Sequence, residues 1–560
     1  MLFENDNASK QIIYNIAILN RTIPSAAPPI YQYFRADNFL SQSGEIVRIQ
    51  FGKGKKDVFG VVLSELFQGE KIYAKSKIID KVEDISIPKN LIEFFISQSQ
   101  KYNVSPSNLL KINFPEINEK AISSISKIIA KPVKKSQIDL EFCNKLYSYF
   151  FAGQYKKLGQ IFQYDNSYNI FPLPGIKEFV DNKTRNNEVK NNRSKSKNNF
   201  EVGYFHQTIL LVALKIIRAV LDEKKIIVTL PYKKQLNLLQ FYLTKLGVSQ
   251  TSDHNFGDIT IYDDDDKNAQ FTKYLASLYN KTKVVIGTKK SSFAPLDFDG
   301  AIIIDELDYA HRSGFEPKNS LAKDLLDRAA FMNKQLLSFS YIFSENIPNR
   351  KNILISNWQN YKKTNNLDFI FLENQPENHF IQNTQNSYIS ALRLPSKAYQ
   401  DLKQISKKGP VLVIVSQKTG QKFSLSTTKD WFKKAFGDAV VKISSSDECL
   451  SQIDNTPQII ISTLGAEPIS LSGYSAIFIL EANRYFNYKD INFSAVLDSW
   501  MKLISLIQLG TTFAKIYIIG AVPEDISQAI NLWDSNLNSK SNFKQLGKAF
   551  IEADKKLEIS

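Results

Sequence analysis

VVIGTKKSSFAP at residues 284–295 and AIIIDELD at residues 301–308 are the two stretches that decide the fold. Each begins with a near-continuous apolar run, which is typical of a strand buried on both faces of a parallel sheet. Comparable runs, separated by helix-like stretches, occur at residues 225–231, 410–415, 439–443, 458–462, 476–480 and 515–519. This alternation predicts an α/β fold with parallel sheets.

The apolar runs fall into two groups, which predicts two successive α/β domains. We assign residues 200–350 to the first domain and residues 401–535 to the second. Residues 351–400 connect the two, and residues 536–560 form a C-terminal tail. The chain has 560 residues, and single hydrophobic cores stop growing well below that length, so further domains are expected.

The N-terminal part of the chain has a different pattern. Short segments rich in β-branched and aromatic residues, at 12–19, 45–51 and 58–63, predict a small β-rich domain over residues 1–105. Helical patterns follow, and we assign residues 106–180 to a helical, winged-helix-like domain. For the β-rich part, a small barrel whose aromatic side chains only pack is an open alternative to a binding function.

Residues 181–199, with the sequence DNKTRNNEVKNNRSKSKNN, almost lack large apolar side chains. We predict that they form a basic, flexible linker and the strongest domain boundary in the chain. A solvated spacer and a basic strap that contacts phosphate groups both fit this composition.

The overall composition restricts the partners. The chain has 71 Lys and Arg against 56 Asp and Glu, a formal net charge of +15, which favours nucleic acid first and an anionic membrane second. Its two cysteines, Cys143 and Cys449, form no ligand pattern with the four histidines, so we expect no metal site and a reducing, cytoplasmic location. The sequence has no signal-peptide pattern and no apolar run of membrane-spanning length, so no membrane partner is expected.

Four features follow one another in the N-terminal segment: Pro28-Pro29, the triplet Tyr31-Gln32-Tyr33, a strand ending at Phe51-Gly52-Lys53, and Gly60-Val61-Val62. Their order and spacing resemble the DNA 3′-end-binding domain of the primosomal protein N′ (PriA) family of replication-restart helicases. The resemblance implies that DNA is bound by Tyr31, Gln32, Tyr33, Arg48, Phe51 and Lys53. Gln32 stands where the family has an acidic residue, which leaves the preference for a 3′ end open.

The two central stretches are similar to two further motifs of this family, VIGTRSALFxP and the DEEH box, and their mutual spacing is the most specific signal in the sequence. The resemblance implies two RecA-like helicase lobes of superfamily 2, over residues 200–350 and 401–535. It also implies that the turn at Thr288 and Lys289 contacts the nucleic-acid backbone.

The segment that aligns with the family's phosphate-binding loop is EVGYFHQT at residues 201–208. Such a loop needs glycines, so that backbone N–H groups can approach the phosphate, and a lysine to neutralise its charge. Gln207 stands at the lysine position, beside Thr208, and no GxxxxGK[ST] pattern occurs elsewhere. We therefore interpret Gln207 and Thr208 as vestigial nucleotide-binding residues.

The catalytic motifs are also incomplete. Asp305 and Glu306 remain in the acidic box, but Asp308 replaces a coupling histidine. The family's QxxGRxGR motif, whose arginines stabilise charge on the γ-phosphate, is reduced to QLGTT at residues 508–512. We therefore interpret Asp305 and Glu306 as vestigial catalytic residues.

The leading interpretation is a non-catalytic, DNA-binding scaffold of replication restart or repair that acts at forked or 3′-ended DNA, with replication-restart proteins as further partners. Two alternatives remain: an active ATP-dependent 3′–5′ DNA helicase with divergent motifs, and a protein-interaction module without a DNA role. No cofactor is expected, and ATP with Mg²⁺ would bind only if the helicase site were active. Zinc is not expected, because the family's cysteine-rich insertion is absent.

Overall fold

The structure of the chain, a computed structural model, describes the residues 12–19, 30–35, 42–51, 56–65, 78–115, 117–151, 159, 161–163, 166–171, 175–180, 202–263, 267–288, 291–306, 308, 311, 320–341, 351–354, 363, 365–372, 394–415, 425–445, 452–486, 493–510, 514–522 and 527. The predicted linker at 181–199, the tail at 536–560, Lys53 and Lys289 lie outside these residues.

An antiparallel sheet of five strands forms the N-terminal part, with the strand order β2-β1-β4-β3-β5. These strands are β1 (Ile12–Ile18), β2 (Tyr31–Arg35), β3 (Glu45–Phe51), β4 (Lys56–Glu65) and β5 (Ile78–Ser86). Side chains alternate between two faces. One face buries Tyr14, Val47 and Ile49 in a small core, whereas Ile46 and Val61 point to helices on the other face.

Four short helices cover that second face: α1 (Lys89–Tyr102), α2 (Pro106–Asn113), α3 (Glu119–Ser123) and α4 (Ile125–Ile129). The same apolar cluster continues into the next part of the chain, because Phe95 stacks on Phe293 with ring centroids 5.2 Å apart. Tyr102 adds a polar contact by donating a hydrogen bond of 2.7 Å to Asp324. The N-terminal sheet and its helices are therefore packed firmly against the first α/β unit.

The first α/β unit is built on a seven-stranded sheet of order β12-β13-β10-β14-β15-β7-β16, in which the neighbouring strands are parallel. Its strands are β7 (Tyr168–Phe171), β10 (Ile226–Thr229), β12 (Ile259–Tyr262), β13 (Val284–Gly287), β14 (Gly300–Ile304), β15 (Gln335–Phe339) and β16 (Lys351–Leu354). A short parallel pair, β6 (Val133–Lys134) with β11 (Phe256–Gly257), lies beside it. The three predicted strands β10, β13 and β14 are buried along their whole length.

The helices of this unit are α5 (Leu140–Phe151), α6 (Gln207–Leu221), α7 (Lys233–Lys245), α8 (Lys267–Leu278) and α9 (Leu321–Phe331). Helix α6 is buried on nearly all sides. It even buries Lys215, whose ammonium lies 5.8 Å from the centre of the Phe162 ring and whose pKa is lowered by burial to about 7.

The boundary between the helical segment and the first α/β unit differs from the prediction at residue 180. Strand β7 lies inside the seven-stranded sheet, and α5 packs into the core of the same unit through Leu146 and Phe151. Helices α2 and α4 belong instead to the cluster beneath the N-terminal sheet. Residues 106–180 are therefore divided between two packing groups, because their apolar faces match two different partners.

The second α/β unit has a six-stranded parallel sheet of order β17-β24-β23-β18-β21-β19. Its strands are β17 (Asp368–Leu372), β18 (Pro410–Ile414), β19 (Val441–Ser444), β21 (Gln458–Ser462), β23 (Ala476–Ile479) and β24 (Lys515–Ile519), with the pair β20 (Gln452–Ile453) and β22 (Ile469–Ser470) beside them. Its helices are α10 (Ser396–Ile405), α11 (Leu425–Phe436) and α12 (Phe493–Ile504). Within the described ranges, no helix is both long and apolar enough to span a membrane.

Arg328 of α9 fixes the turn that follows β13. Its guanidinium donates hydrogen bonds to the carbonyl oxygens of Ser292 (2.9 Å), Ala294 (2.8 Å) and Leu296 (3.1 Å), and it lies 4.9 Å from the centre of the Phe298 ring. Arg328 is 1% exposed, and burial lowers its pKa to about 9. The buried guanidinium thus donates hydrogen bonds to three backbone carbonyl oxygens between residues 292 and 296.

We predict that Arg328→Met lowers the free energy of unfolding by on the order of 3 kcal/mol, because it leaves buried carbonyl oxygens without donors. The measurement is chemical denaturation, with Lys323→Met as the control on the exposed side of the same helix. Equal effects of the two substitutions would contradict a structural role of the guanidinium.

Candidate functional site

The candidate site lies where the two α/β units meet. The first unit contributes Tyr232 and Lys234, which follow β10, and Asp308, which follows β14. The second unit contributes Glu467, which follows β21, and Lys502 on α12. We call these residues, with Asp305 and Asp498, the interunit junction. In a sheet of parallel strands, the crevice at the carboxyl ends is where ligands usually bind.

Lys234 is held in a cage made by the second unit. Its ammonium donates to the carbonyl oxygen of Gly465 (3.0 Å), to the carbonyl oxygen of Glu467 (2.7 Å) and to the Glu467 carboxylate (2.8 Å). The other carboxylate oxygen of Glu467 accepts from the backbone N–H of Gly465 at 2.7 Å. The side chains of Lys234 and Glu467 are 12% and 7% exposed, so this ion pair is largely removed from water.

Lys502 makes the second set of ionic contacts. Its ammonium binds the carboxylates of Asp308, across the junction, and of Asp498, one turn away on α12. Tyr232 donates a hydrogen bond of 2.9 Å to the other oxygen of Asp308. Although burial opposes the charge of Lys502, the surrounding aspartates hold its pKa well above the usual value. A cavity remains beside these residues, but all four of its lysine and acidic lining residues are engaged in these pairs.

Asp305 and Glu306, the two acidic residues that follow β14, are buried and accept hydrogen bonds from neutral donors. Asp305 accepts a hydrogen bond of 2.9 Å from the Gln235 amide, and Glu306 accepts one of 2.7 Å from the Ser338 hydroxyl. Burial raises the pKa of Asp305 to about 7. Among the described residues, no group of three His, Cys, Asp or Glu side chains is placed to hold a metal ion.

The segment aligned with the phosphate-binding loop has no loop where the structure describes it. Strand β9 (Val202–His206) leads directly into α6 at Gln207 and pairs antiparallel with β8 (Ile176–Val180). The His206 ring caps the helix by accepting from the backbone N–H of Ile209 at 3.4 Å, and the Gln207 N–H donates to the Gly175 carbonyl. Gln207 and Thr208 are both buried.

His206 is a neutral cap. Its backbone N–H donates to the Tyr242 hydroxyl at 2.9 Å, and burial lowers the pKa of its imidazole to about 4. A phosphate at a helix N-terminus is bound by free N–H groups and the positive end of the helix dipole. Here protein atoms accept from two of those N–H groups, so this helix start is not a phosphate cradle.

The β8–β9 hairpin also joins the two units through the backbone. The Ile176 N–H donates to the Ile507 carbonyl at 2.8 Å, and the Leu509 N–H donates to the Ile176 carbonyl at 2.9 Å. Gly175 permits this contact, because its φ is +91° and a Cβ there would lie 2.6 Å from the Leu509 side chain. The partner segment includes Gln508 and Leu509, the first two residues of the QLGTT sequence, so these two residues lie at the contact between the units.

The predicted DNA-binding residues of the N-terminal sheet separate into two groups. Tyr31 and Phe51 come together edge to face, with ring centroids 5.0 Å apart, and both are partly exposed. Tyr33 is buried beneath them and donates a hydrogen bond of 3.1 Å to the Gln50 carbonyl. Gln32 is half-buried on the same strand. The sheet curls to bring the ends of β2 and β3 together, although two strands lie between them.

Arg48 is not beside these aromatic rings. It pairs with Glu119 of α3 at 2.9 Å and with Asp80 of β5 at 3.5 Å, and it lies 5.8 Å from the centre of the Phe59 ring. The strand alternation explains this position, since Arg48 and Phe51 point to opposite faces. Arg48 therefore links the sheet to the helices that cover it. Thr288, which was predicted to contact the nucleic-acid backbone, is buried directly after β13.

No protein-family model and no curated protein matches the sequence. Solved structures with similar folds include the DUF1998 helicase MrfA bound to DNA, with 10% identity over 68% of this chain and 47% of that chain and a TM-score of 0.36. S. cerevisiae Dbp5 bound to RNA and ADP BeF3 has 11% identity over 78% of this chain and 98% of that chain, with a TM-score of 0.39.

RecG bound to a three-way DNA junction is similar with 10% identity over 82% of this chain and 52% of that chain, and a TM-score of 0.36. The chain thus spans about half the length of the MrfA and RecG chains. Similarity of this degree assigns neither a family nor an activity to this chain.

Sequence reasoning missed Lys234, Glu467 and Lys502. Lys234 and Glu467 are separated by 233 positions, and neither belongs to a motif with recognisable spacing. A local signal exists only for Lys502, which lies four positions after Asp498 on one face of a helix.

We predict that Lys234→Met and Glu467→Gln each lower the free energy of unfolding by on the order of 3 kcal/mol, because each leaves a buried polar group without its partner. The double variant should lose less than the sum of the two changes. Thermal and chemical denaturation provide the measurement. Lys89→Met, which removes an exposed ion pair with Glu93, is the matched control and should change the stability by less than about 0.5 kcal/mol. Additive effects of the two junction variants would contradict the ion pair.

Proposed function

We propose that this protein is a non-catalytic DNA-binding protein whose two α/β units, similar in pattern to helicase lobes, act as a fixed scaffold. The primosomal protein N′ resemblance of the sequence places the proposed role in replication restart or repair, at forked or 3′-ended DNA. Replication-restart proteins are the proposed further partners, and the cytoplasm is the proposed location.

The capped start of α6 is the observation that supports the proposed absence of catalysis. Phosphoryl transfer depends on positioning the phosphates and stabilising their charge. At the aligned position, the His206 ring and the Gly175 carbonyl accept from the helix N–H groups, and Gln207 is buried without a positive charge. Lys234 and Lys502 supply positive charge at the junction, but acidic residues of the chain engage both.

Two observations support the proposed DNA binding: the net positive charge of the chain and an aromatic pair on the N-terminal sheet. The formal net charge of +15 favours a polyanion. Tyr31 and Phe51 form a partly exposed aromatic pair, and such pairs bind single-stranded nucleic acid by stacking on its bases. Arg48 is engaged in ion pairs with Asp80 and Glu119, so we assign the contact to the aromatic pair rather than to Arg48.

We predict no ATP turnover above background when the full-length protein is saturated with forked DNA, because the phosphate cradle and the arginines that stabilise transferred charge are both missing. Steady-state ATPase measurement tests this, with Asp305→Asn as the control. The proposal is contradicted if the protein turns over ATP at about one per second, the low end of ordinary enzyme rates, and Asp305→Asn abolishes this turnover. Turnover that survives Asp305→Asn would identify a contaminating ATPase.

We predict that the full-length protein binds DNA with a 3′ single-stranded end and that ATP leaves the affinity unchanged. Tyr31→Ala should weaken binding by about 5- to 100-fold, the loss expected from one stacked base. Fluorescence anisotropy at several salt concentrations provides the measurement. The control is Tyr149→Ala, which removes an exposed tyrosine on α5. If both variants bind like the original protein, the aromatic pair is not the contact; if the original protein binds no DNA, the scaffold role is wrong.

A further inference from the structure

The interunit junction holds more buried acid than base. Asp305 and Asp308 follow strand β14 of the first unit, while Asp498 and Lys502 lie on α12 of the second. Lys502 touches the carboxylates of both Asp308 and Asp498. All three aspartates are at most 8% exposed. Fully ionised, these three carboxylates and one ammonium would carry a net charge of −2 out of contact with water.

The other charged groups around Asp305 do not correct this excess. Lys234 is engaged by Glu467, which brings its own negative charge to the junction. His311 is neutral, because burial lowers its pKa to about 4, and one of its ring nitrogens is 2.8 Å from the Ile304 carbonyl oxygen. Glu306 adds a further acidic group, which accepts a hydrogen bond from Ser338.

The two nearby tyrosines are neutral as well. Tyr232 donates its hydroxyl hydrogen to Asp308, and burial raises its pKa. Tyr341 is likewise buried, with a raised pKa. Isolated charges in such surroundings are costly, and neighbouring carboxylates commonly share a proton instead.

We propose that the interunit junction closes around one bound proton, held among Asp305, Asp308 and Asp498, and that loss of this proton weakens the contact between the two units. The inference concerns how the units are held together and does not depend on DNA binding. Burial, together with the charges of Asp498 and Asp308, raises the pKa of Asp305 to about 7, against the opposing effects of Lys502 and the Gln235 amide. Among the described residues, Oδ1 of Asp498 is buried without a hydrogen-bond partner, as expected of a group with acceptor capacity to spare.

The sign of the pH dependence follows from the raised pKa. The ordinary value of an aspartate is 3.8, so between that value and about 7 the folded protein binds a proton that the unfolded chain does not. Folding is therefore favoured at low pH, and this contribution is lost as the pH rises through about 7. Above this value the junction carries the full cost of the ionised cluster. The strength of the contact between the two units therefore depends on pH within the ordinary cellular range.

Hydrogen exchange of the full-length protein tests the proposal. The Gly465 N–H, which donates to Glu467 at the junction, reports on opening of the contact. After correction for the intrinsic exchange rate, we expect roughly tenfold lower protection of residues 463–467 at pH 8 than at pH 6. The closed junction binds one more proton than the opened one over the pH unit below about 7, and the difference in bound protons vanishes above that value. Asp305→Asn, which cannot ionise, should remove this difference.

Two further variants keep the test decisive. Asp253→Asn changes an exposed aspartate in a bend outside the interunit junction and should retain the tenfold difference. Asp498→Asn removes a carboxylate that raises the pKa of Asp305, so this pKa should fall and the loss of protection should be complete at lower pH. The proposal fails if the protection of residues 463–467 in the original protein does not depend on pH. It also fails if Asp305→Asn and Asp498→Asn both show the original pH profile.

Discussion

The arrangement of the two α/β units depends on one constraint: a charge that leaves water must find a partner of opposite sign and enough hydrogen bonds. Lys234 reaches out of the first unit and finds both in the second, from the Glu467 carboxylate and two carbonyl oxygens. Separation of the two units would leave the ammonium, the carboxylate and both carbonyl oxygens without these hydrogen bonds. The hairpin contact at Ile176 adds backbone hydrogen bonds to the same boundary. The charged side chains that line the cavity at this boundary are thereby engaged by one another.

The sequence predicted the two parallel sheets well, because strands buried on both faces leave a visible pattern of continuous apolar residues. The runs at 284–287 and 458–462 are fully buried strands in the structure. The N-terminal strands were equally visible through their β-branched residues. The sequence indicated that the segment before α6 lacks the glycines and the lysine of a phosphate-binding loop, but it did not reveal the cap made by His206. A lost glycine loop indicates what is missing and not what has replaced it.

The remaining features depend on contacts that no local pattern encodes. Strand β7 has four residues and lies far from its sheet neighbours in sequence, so the domain boundary was placed too late in the chain. Arg48 looked like a phosphate contact from its position beside aromatic residues, but its partner Glu119 lies 71 positions away. Composition indicates that such charges exist, whereas only the tertiary fold determines which are already neutralised.

The hairpin contact also has a consequence for the order of assembly during synthesis. The Ile176 backbone pairs with residues about 330 positions further along the chain, so its edge has no partner until the ribosome has made the second unit. An unpaired strand edge beside an apolar core is a site where nascent chains associate wrongly. Contacts this distant in sequence also form slowly, because a long loop must close before they can form. The edge at Ile176 therefore stays unpaired while the second unit is being synthesised, although the first unit has already been made.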